Sequence, residues 1–176
     1  MSLIDALLEA HHKSALRGNC SHQALAASAL GSGDYFKSIA ATLLTLGGLH
    51  GPIFQAYDVL MAEDISGGVA RIIRAGHRVP GWGNGFVRGE VDPLWTGVQA
   101  ILARDHADIS KKLDDATASL HRAGKLLFPN PAAFTAATAL ALGIPRDEAG
   151  KLFIQGRLSA WTSEYARMRE GAPCLG

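Results

Sequence analysis

Seven histidines and two cysteines are the side chains of this sequence suited to metal-binding, nucleophilic or proton-transfer chemistry. Their spacing argues against a metal centre. His11 and His12 are adjacent and would leave a helix in different directions, and His22 lies beyond a helix break. No histidine pair shows the i, i+4 spacing beside a carboxylate that a helical metal site uses. Cys20 and Cys174 are far apart and fit neither a metal site nor a disulfide framework. His11, His22, His106 and His121 read as surface or half-buried histidines. His50 differs, because it sits in Gly47-Gly48-Leu49-His50-Gly51-Pro52. Small neighbours admit a ligand close to the backbone, and a helix N-terminus just beyond offers N–H groups to an anion or oxyanion. A glycine-rich bend with an incidental histidine is the other reading of the same spacing. A second glycine-rich stretch, Gly81-Trp82-Gly83-Asn84-Gly85, suggests a loop that wraps something, and it has neither dinucleotide nor Walker spacing. Arg74, Arg78 and Arg88 flank it and could meet phosphates, or could be ordinary solvated arginines.

The elements that must position these residues are helices. The chain holds 29 Ala and 22 Leu against 6 Val and 10 Ile, and β-branched residues are the ones that favour sheets. Its 176 residues, 48% apolar and 19% charged, suit one compact domain over 1–176 and exclude a disordered chain. A net charge of +1 calls for no nucleic-acid or membrane partner. No apolar run reaches the roughly 20 residues of a membrane span, no signal peptide opens the chain, and the cytoplasm is the expected location.

Ser2 with Asp5 signals a first helix ending near Gly18-Asn19, and Ser21 a short second one to Leu30. Asp34 caps a third whose Phe36, Ile39, Ala40, Leu43 and Leu44 form an apolar stripe, predicted to be buried. Residues 77–92, with four glycines and a proline, predict an ordered loop anchored by Trp82 and Phe86. Asp92-Pro93 restarts a helical reading to about Leu127. Phe128–Pro131 is a rigid loop before an Ala-rich helix, and Pro145 opens the last helix.

Taken in order, these segments resemble the citrate synthase family, including its short citryl-CoA lyase-like members. Gly48-Leu49-His50-Gly51 is similar to the family's G-P-L-H-G-G turn. Val79-Pro80-Gly81-Trp82-Gly83-Asn84, ending in Asp92-Pro93, is similar to P-G-F-G-H-x-V…D-P-R. Pro129-Asn130-Pro131-Ala132, with Leu142-Gly143-Ile144-Pro145 and Leu152-Phe153…Gly156-Arg157, resembles P-N-V-D…M-G-I-P…L-F…G-R. Gly18-Asn19-Cys20-Ser21 resembles D-H-x-x-G-N-x-S more weakly. The resemblance implies an all-α, citrate synthase-like helical bundle, shortened at the N-terminus, that homodimerises through packed helices and binds a coenzyme A thioester.

Carried over residue by residue, His50 takes the role of the histidine that stabilises the thioester enol. Asn84 stands where a second catalytic histidine is expected. Arg157 is a carboxylate-binding arginine, and Gly51 and Asn130 join it as substrate-binding positions. Val79, Gly81, Trp82 and Gly83 form the expected coenzyme A-binding loop, and no metal is implied. Ala132 stands where the proton-abstracting aspartate should be, Leu94 replaces the arginine of D-P-R, and Ala15 falls where the D-H histidine is expected.

These replacements are severe. Alanine accepts no proton, and a positioned base is worth about 10²–10⁴-fold in rate. Asparagine can donate to an oxyanion but cannot shuttle protons near pH 7. Ordinary citrate synthesis or citryl-CoA cleavage by this chain alone is therefore disfavoured. The favoured reading is an acyl-CoA-dependent lyase or acyltransferase with a degenerate active site. Decarboxylation or retro-aldol cleavage would suit it, with His77 in reserve as acid or base. The alternatives are a catalytically inactive structural or regulatory partner of an active homologue, forming a heteromer, and a plain coenzyme A-binding module.

Overall fold

A computed structural model describes residues 1–46 and 52–170 of the chain. Among them nine α-helices form, with no strand beyond one isolated bridge between Trp82 and Pro129. They are α1 (Leu3–Ser14), α2 (Cys20–Ser32), α3 (Tyr35–Leu44), α4 (Ile53–Met61), α5 (Ile65–Arg74), α6 (Thr96–Asp105), α7 (Ala107–Arg122), α8 (Pro131–Ala141) and α9 (Ala149–Glu170). The all-α expectation holds. None of these helices is long and apolar enough to cross a membrane.

The helix ends follow local chemistry, with instructive departures. Ser2 and Asp5 form a complete capping box over the first turn of α1. α1 stops at Ser14, four residues short of the expected Gly18. Asn19, not Ser21, caps α2, its Oδ1 accepting from the His22 amide at 3.0 Å. The irregular stretch 15–19 that results swings Arg17 out of helical register. Gly33, at φ +66°, ends α2 in the left-handed conformation, and Asp34 caps α3 as expected. The helix foreseen from Asp92 to Leu127 is instead a 3-10 turn, Pro93–Trp95, followed by α6 and α7, which break at His106.

α8 is the centre of the molecule. Residues 132–139 are all buried, and α1, α4, α6, α7 and α9 pack around them. Its alanines present almost flat faces, which lets neighbouring helices approach closely. Trp95 supplies bulk, stacking on Phe134 with ring centres 5.8 Å apart and planes 8° from parallel. The loop 77–92 is tied down by backbone. The Gly83 amide donates to the Phe128 carbonyl at 2.9 Å, and the Asn130 amide donates to Gly81 at 2.9 Å. Trp82 is buried and its indole N–H donates to Thr117 at 2.9 Å, whereas Phe86 is exposed.

The orientation of α3 departs in part from the one its pattern predicts: Ile39 and Leu43 of the stripe pack half-buried against the cluster of Leu25 and Trp161, but the rest of the stripe does not. Ser38 and Thr42 face inward, while Phe36 is 80% and Leu44 86% exposed. The inward hydroxyls are satisfied within the helix, Ser38 donating to the Asp34 carbonyl at 2.7 Å and Thr42 to the Ser38 carbonyl at 2.8 Å. Small side chains let α3 sit tightly on α2 and α9, and Tyr35 reinforces the seat by meeting Thr162 at 2.9 Å. Phe36, Ala40 and Leu44, one turn apart, are left exposed, as is Leu30 of α2.

Candidate functional site

Separate stretches of chain line a cavity of about 180 Å³. Its walls are the α1–α2 connection (Ser14 to Ser21), Thr45 and Leu46 after α3 with Pro52 before α4, the end of the glycine loop (Asn84, Phe86, Asp92, Trp95), the start of α8 (Asn130 to Ala132) and two residues of α9, Phe153 and Arg157. Three residues singled out from sequence, Asn84, Asn130 and Arg157, therefore meet around one space. Ala132, at the position of the missing aspartate, lines the same space.

Arg157 dominates its electrostatics. The side chain is 5% exposed, its guanidinium lying over the Phe153 ring at 4.1 Å. Its hydrogen bonds go only to neutral groups: Nη2 donates to Ser14 Oγ at 3.2 Å and Nε to His11 Nδ1 at 3.4 Å. Among the described residues no carboxylate offsets the charge, and burial alone pushes its pKa down to about 10. Buried cations are ordinarily paired, so an unpaired one on a cavity wall is suited to an anionic ligand.

Asp92 is the one carboxylate of the wall and was not singled out as a site residue from sequence. It is buried, and both oxygens are engaged. Oδ2 accepts from Arg17 Nη1 at 2.5 Å and from Asn84 Nδ2 at 3.0 Å, while Oδ1 accepts from the Leu94 amide at 3.1 Å. Arg17 is fixed from its other side by the Phe86 ring, 5.2 Å away. An acidic side chain from another segment thus does share the cavity with Ala132, but three donors hold it. Arg17 escaped notice because nothing marks an arginine in the last turn of a predicted helix; the break after Ser14 creates its role.

Asn84 Oδ1 accepts from the Phe86 amide at 2.9 Å, and with one Nδ2 hydrogen on Asp92 a single hydrogen remains for a ligand. Asn130 is largely structural: Oδ1 caps α8 through the Ala132 amide at 2.8 Å, and Nδ2 donates to the Gly83 carbonyl at 2.9 Å. Leu94 packs on the core, and Ala15 is fully buried.

The expected coenzyme A loop divides. Val79 is packed in the core. Gly81, at φ +90°, lies so close to α4 and α8 that a Cβ would stand 2.8 Å from that of Ala56 and 3.1 Å from that of Ala133. These two residues fix the loop and offer no side chain to a ligand. Trp82 and Gly83 do border a recess of about 480 Å³, together with Arg78 and Arg88. Asn84 belongs to the walls of both this recess and the cavity. Arg74 borders neither. His77 is exposed on a different groove, beside Asp58 and Arg71. His50 and Gly51 lie outside the described residues, as does Cys174. Among the described residues no group of three or more His, Cys, Asp or Glu side chains could hold a metal ion. His11, read from sequence as a surface or half-buried histidine, is completely buried behind Arg157.

The architecture is the citrate synthase fold. Citryl-CoA lyase from Hydrogenobacter thermophilus superposes with a TM-score of 0.82 at 19% identity, over 97% of this chain and 69% of that one. Citrate synthase from Thermotoga maritima gives 0.75 at 18% identity, over 99% of this chain and 49% of that one. An aspartate-to-alanine mutant of Methanosaeta concilii ATP citrate lyase, in complex with (3S)-citryl-CoA, gives 0.73 at 15% identity over 99% and 32%. The chain thus spans from about a third to about two thirds of the length of these proteins. No protein-family model and no curated protein sequence matches it.

Proposed function

We propose that this chain binds an acyl-CoA thioester whose acyl part carries a carboxylate, and that it makes or breaks a carbon–carbon bond without removing a proton from carbon. The observation that carries this reading is Arg157, a buried cation without a counter-charge among the described residues, on the wall of a cavity where Ala132 stands at the position the resemblance gives to the base. A carboxylate is the ligand group whose planar oxygens suit a guanidinium. The recess bordered by Arg78, Trp82, Gly83 and Arg88 suits the coenzyme A portion, with Asn84 at the junction. Of the similar structures, one that is itself an aspartate-to-alanine mutant holds (3S)-citryl-CoA.

Decarboxylation fits the chemistry present. The bond between the carboxylate carbon and the α-carbon breaks, its electron pair enters the thioester enolate, carbon dioxide leaves, and solvent later returns a proton. The remaining Nδ2 hydrogen of Asn84 is suited to support the enolate oxygen. A panel of acyl-CoAs followed by mass spectrometry tests the reading. Carboxylate-bearing thioesters should be retained and at least one consumed, with plain acetyl-CoA unchanged; retention of none of them would overturn it.

A second expectation concerns the missing base. The native chain should not exchange the methyl protons of acetyl-CoA for deuterium. Ala132→Asp, which places a carboxylate on the same wall in the favourable first turn of α8, should raise exchange about 10²–10⁴-fold over the native background. Exchange by the native chain would show that Asp92 or another group already serves as the base.

The same reading includes a homodimer. The exposed Phe36, Ala40 and Leu44 of α3 form an apolar face suited to a second copy of itself. Sedimentation should show a dimer for the native chain. Phe36→Asp with Leu44→Asp should give a folded monomer, because neither side chain contributes to the core of one copy. A native monomer at high protein concentration would contradict it.

A further inference from the structure

We infer that His11 is a positioning residue for Arg157, held in one neutral tautomer by a chain of hydrogen bonds that ends on the backbone at the start of α8. The inference rests on the carboxylate-binding reading of Arg157 for its consequence, though not for its geometry. His11 lies in α1 and Arg157 in α9, and the two helices meet where α9 has glycine. A Cβ at Gly156 would stand 2.5 Å from the Cβ of His11 and 3.3 Å from the Leu8 Cα. Only a residue without a side chain lets α9 come near enough for the arginine beside it to reach the imidazole.

The tautomer follows from what each atom can do. A guanidinium only donates, so Nδ1 of His11, 3.4 Å from Arg157 Nε, must accept. A neutral imidazole then carries its hydrogen on Nε2, which donates to Thr135 Oγ1 at 2.8 Å. The Thr135 hydroxyl passes its own hydrogen to the Pro131 carbonyl at 2.6 Å. Each atom of the chain has one consistent role, and reversing any of them leaves two donors or two acceptors facing each other. The ring is also fixed in plane, edge-on to Trp95 at 4.8 Å and to Phe153 at 4.6 Å.

The consequence is a guanidinium with its orientation set in advance. Phe153 supports one face, His11 holds Nε and Ser14 holds Nη2, so the remaining donors are available to a ligand without a search through rotamers. A protonated His11 would set a second cation against Arg157 and could no longer accept from it. Burial and the adjacent Arg157 charge both push the imidazole pKa well below its ordinary range. Of the elements packed on His11, from α1, α8, α9 and the 3-10 turn at Trp95, Arg157 is the one charged group against it among the described residues.

Nitrogen-15 NMR on the full chain tests this directly, using citrate as the anion probe. The His11 ring should be the Nε2–H tautomer and should stay neutral where an ordinary histidine titrates, and the Arg157 Nε–H should exchange slowly with water. In His11→Phe, which keeps an aromatic ring but no acceptor, Arg157 Nε–H exchange should accelerate and citrate should bind about tenfold or more weakly. His11→Gln offers an acceptor and a donor at similar reach and should recover most of both. An Nδ1–H tautomer, titration near pH 6.5, or unchanged Arg157 exchange in His11→Phe would overturn the inference. If the native chain bound no citrate, the carboxylate reading of Arg157 would fail while the two NMR signatures, needing no ligand, would still decide the role of His11. A purely structural role would leave His11→Gln no better than His11→Phe.

Discussion

Arg157→Met should unfold at a higher temperature than the native chain while binding a carboxylate-bearing acyl-CoA at least about 100-fold more weakly. The two effects have one cause. Burial holds the Arg157 pKa at about 10, well below the ordinary arginine range, a shift that corresponds to roughly 3 kcal/mol against the folded state near neutral pH. Methionine keeps the apolar stem over Phe153 and removes the charge. The loss on the other side is His11 Nδ1 without a donor, about 1–2 kcal/mol; Ser14 keeps its bond to the His11 carbonyl. The net gain of about 1–2 kcal/mol corresponds to a rise of roughly 2–4 °C per kcal/mol in a chain of this size. Removing one partner of a desolvated ion pair with a ligand costs about 2–5 kcal/mol of affinity. Calorimetry and thermal denaturation together read both. A lower melting temperature with affinity intact would refute the assignment of Arg157 as an anion anchor. The pH dependence gives a second handle. A cation whose pKa is depressed on folding binds its proton more weakly in the folded state, so stability rises with pH from about 10 upward, until the unfolded chain loses the same proton. That rise should be smaller in Arg157→Met than in the native chain.

Gly81→Ala should be strongly destabilising for the addition of a single methyl. The residue lies at φ +90°, where an L side chain is strained by about 1–3 kcal/mol. The new Cβ would also lie 2.8 Å from Ala56 Cβ on α4 and 3.1 Å from Ala133 Cβ on α8. Neither neighbour is a flexible side chain that can turn away, so the helices themselves must separate, at a further cost of about 1–3 kcal/mol. A total near 4 kcal/mol is a large part of the stability of an ordinary domain. Urea denaturation should show it as a large drop in midpoint with little change in slope. Gly85→Ala, four residues along, serves as the control. Its Cβ would meet nothing within 4 Å, and it should leave the midpoint unchanged to within about 0.5 kcal/mol.

How far such features can be read from sequence depends on whether local chemistry or tertiary packing decides them. Caps were legible at Ser2 and Asp34, because an Asx or hydroxyl side chain acts within three residues of itself. The convergence of Asn84 and Arg157 was legible through the order of motifs. The direction of α3 was not. Periodicity identifies an apolar stripe but not whether its own chain covers it, and here Ser38 and Thr42 won the inner face by being small. Arg17 and Asp92 were hidden for a different reason. Their pairing spans 75 residues and depends on α1 ending early, which no short window of sequence reveals. His11 was misjudged because a polar side chain between charged and apolar neighbours ordinarily faces water; the glycine 145 positions later that makes room for it is invisible to any helical pattern.

The walls of the cavity come from residues near 14–21, 45–46, 52, 84–95, 130–132 and 153–157. Whatever seats there touches the first helix, the middle of the chain and the last helix at once, and so acts as a removable cross-link between regions that the backbone connects only at long range. Occupancy and folding are then coupled: a tenfold excess of occupant over its dissociation constant contributes about 1.4 kcal/mol to holding α1 and α9 together. Fraying of either end should accordingly be the first motion that a bound guest suppresses.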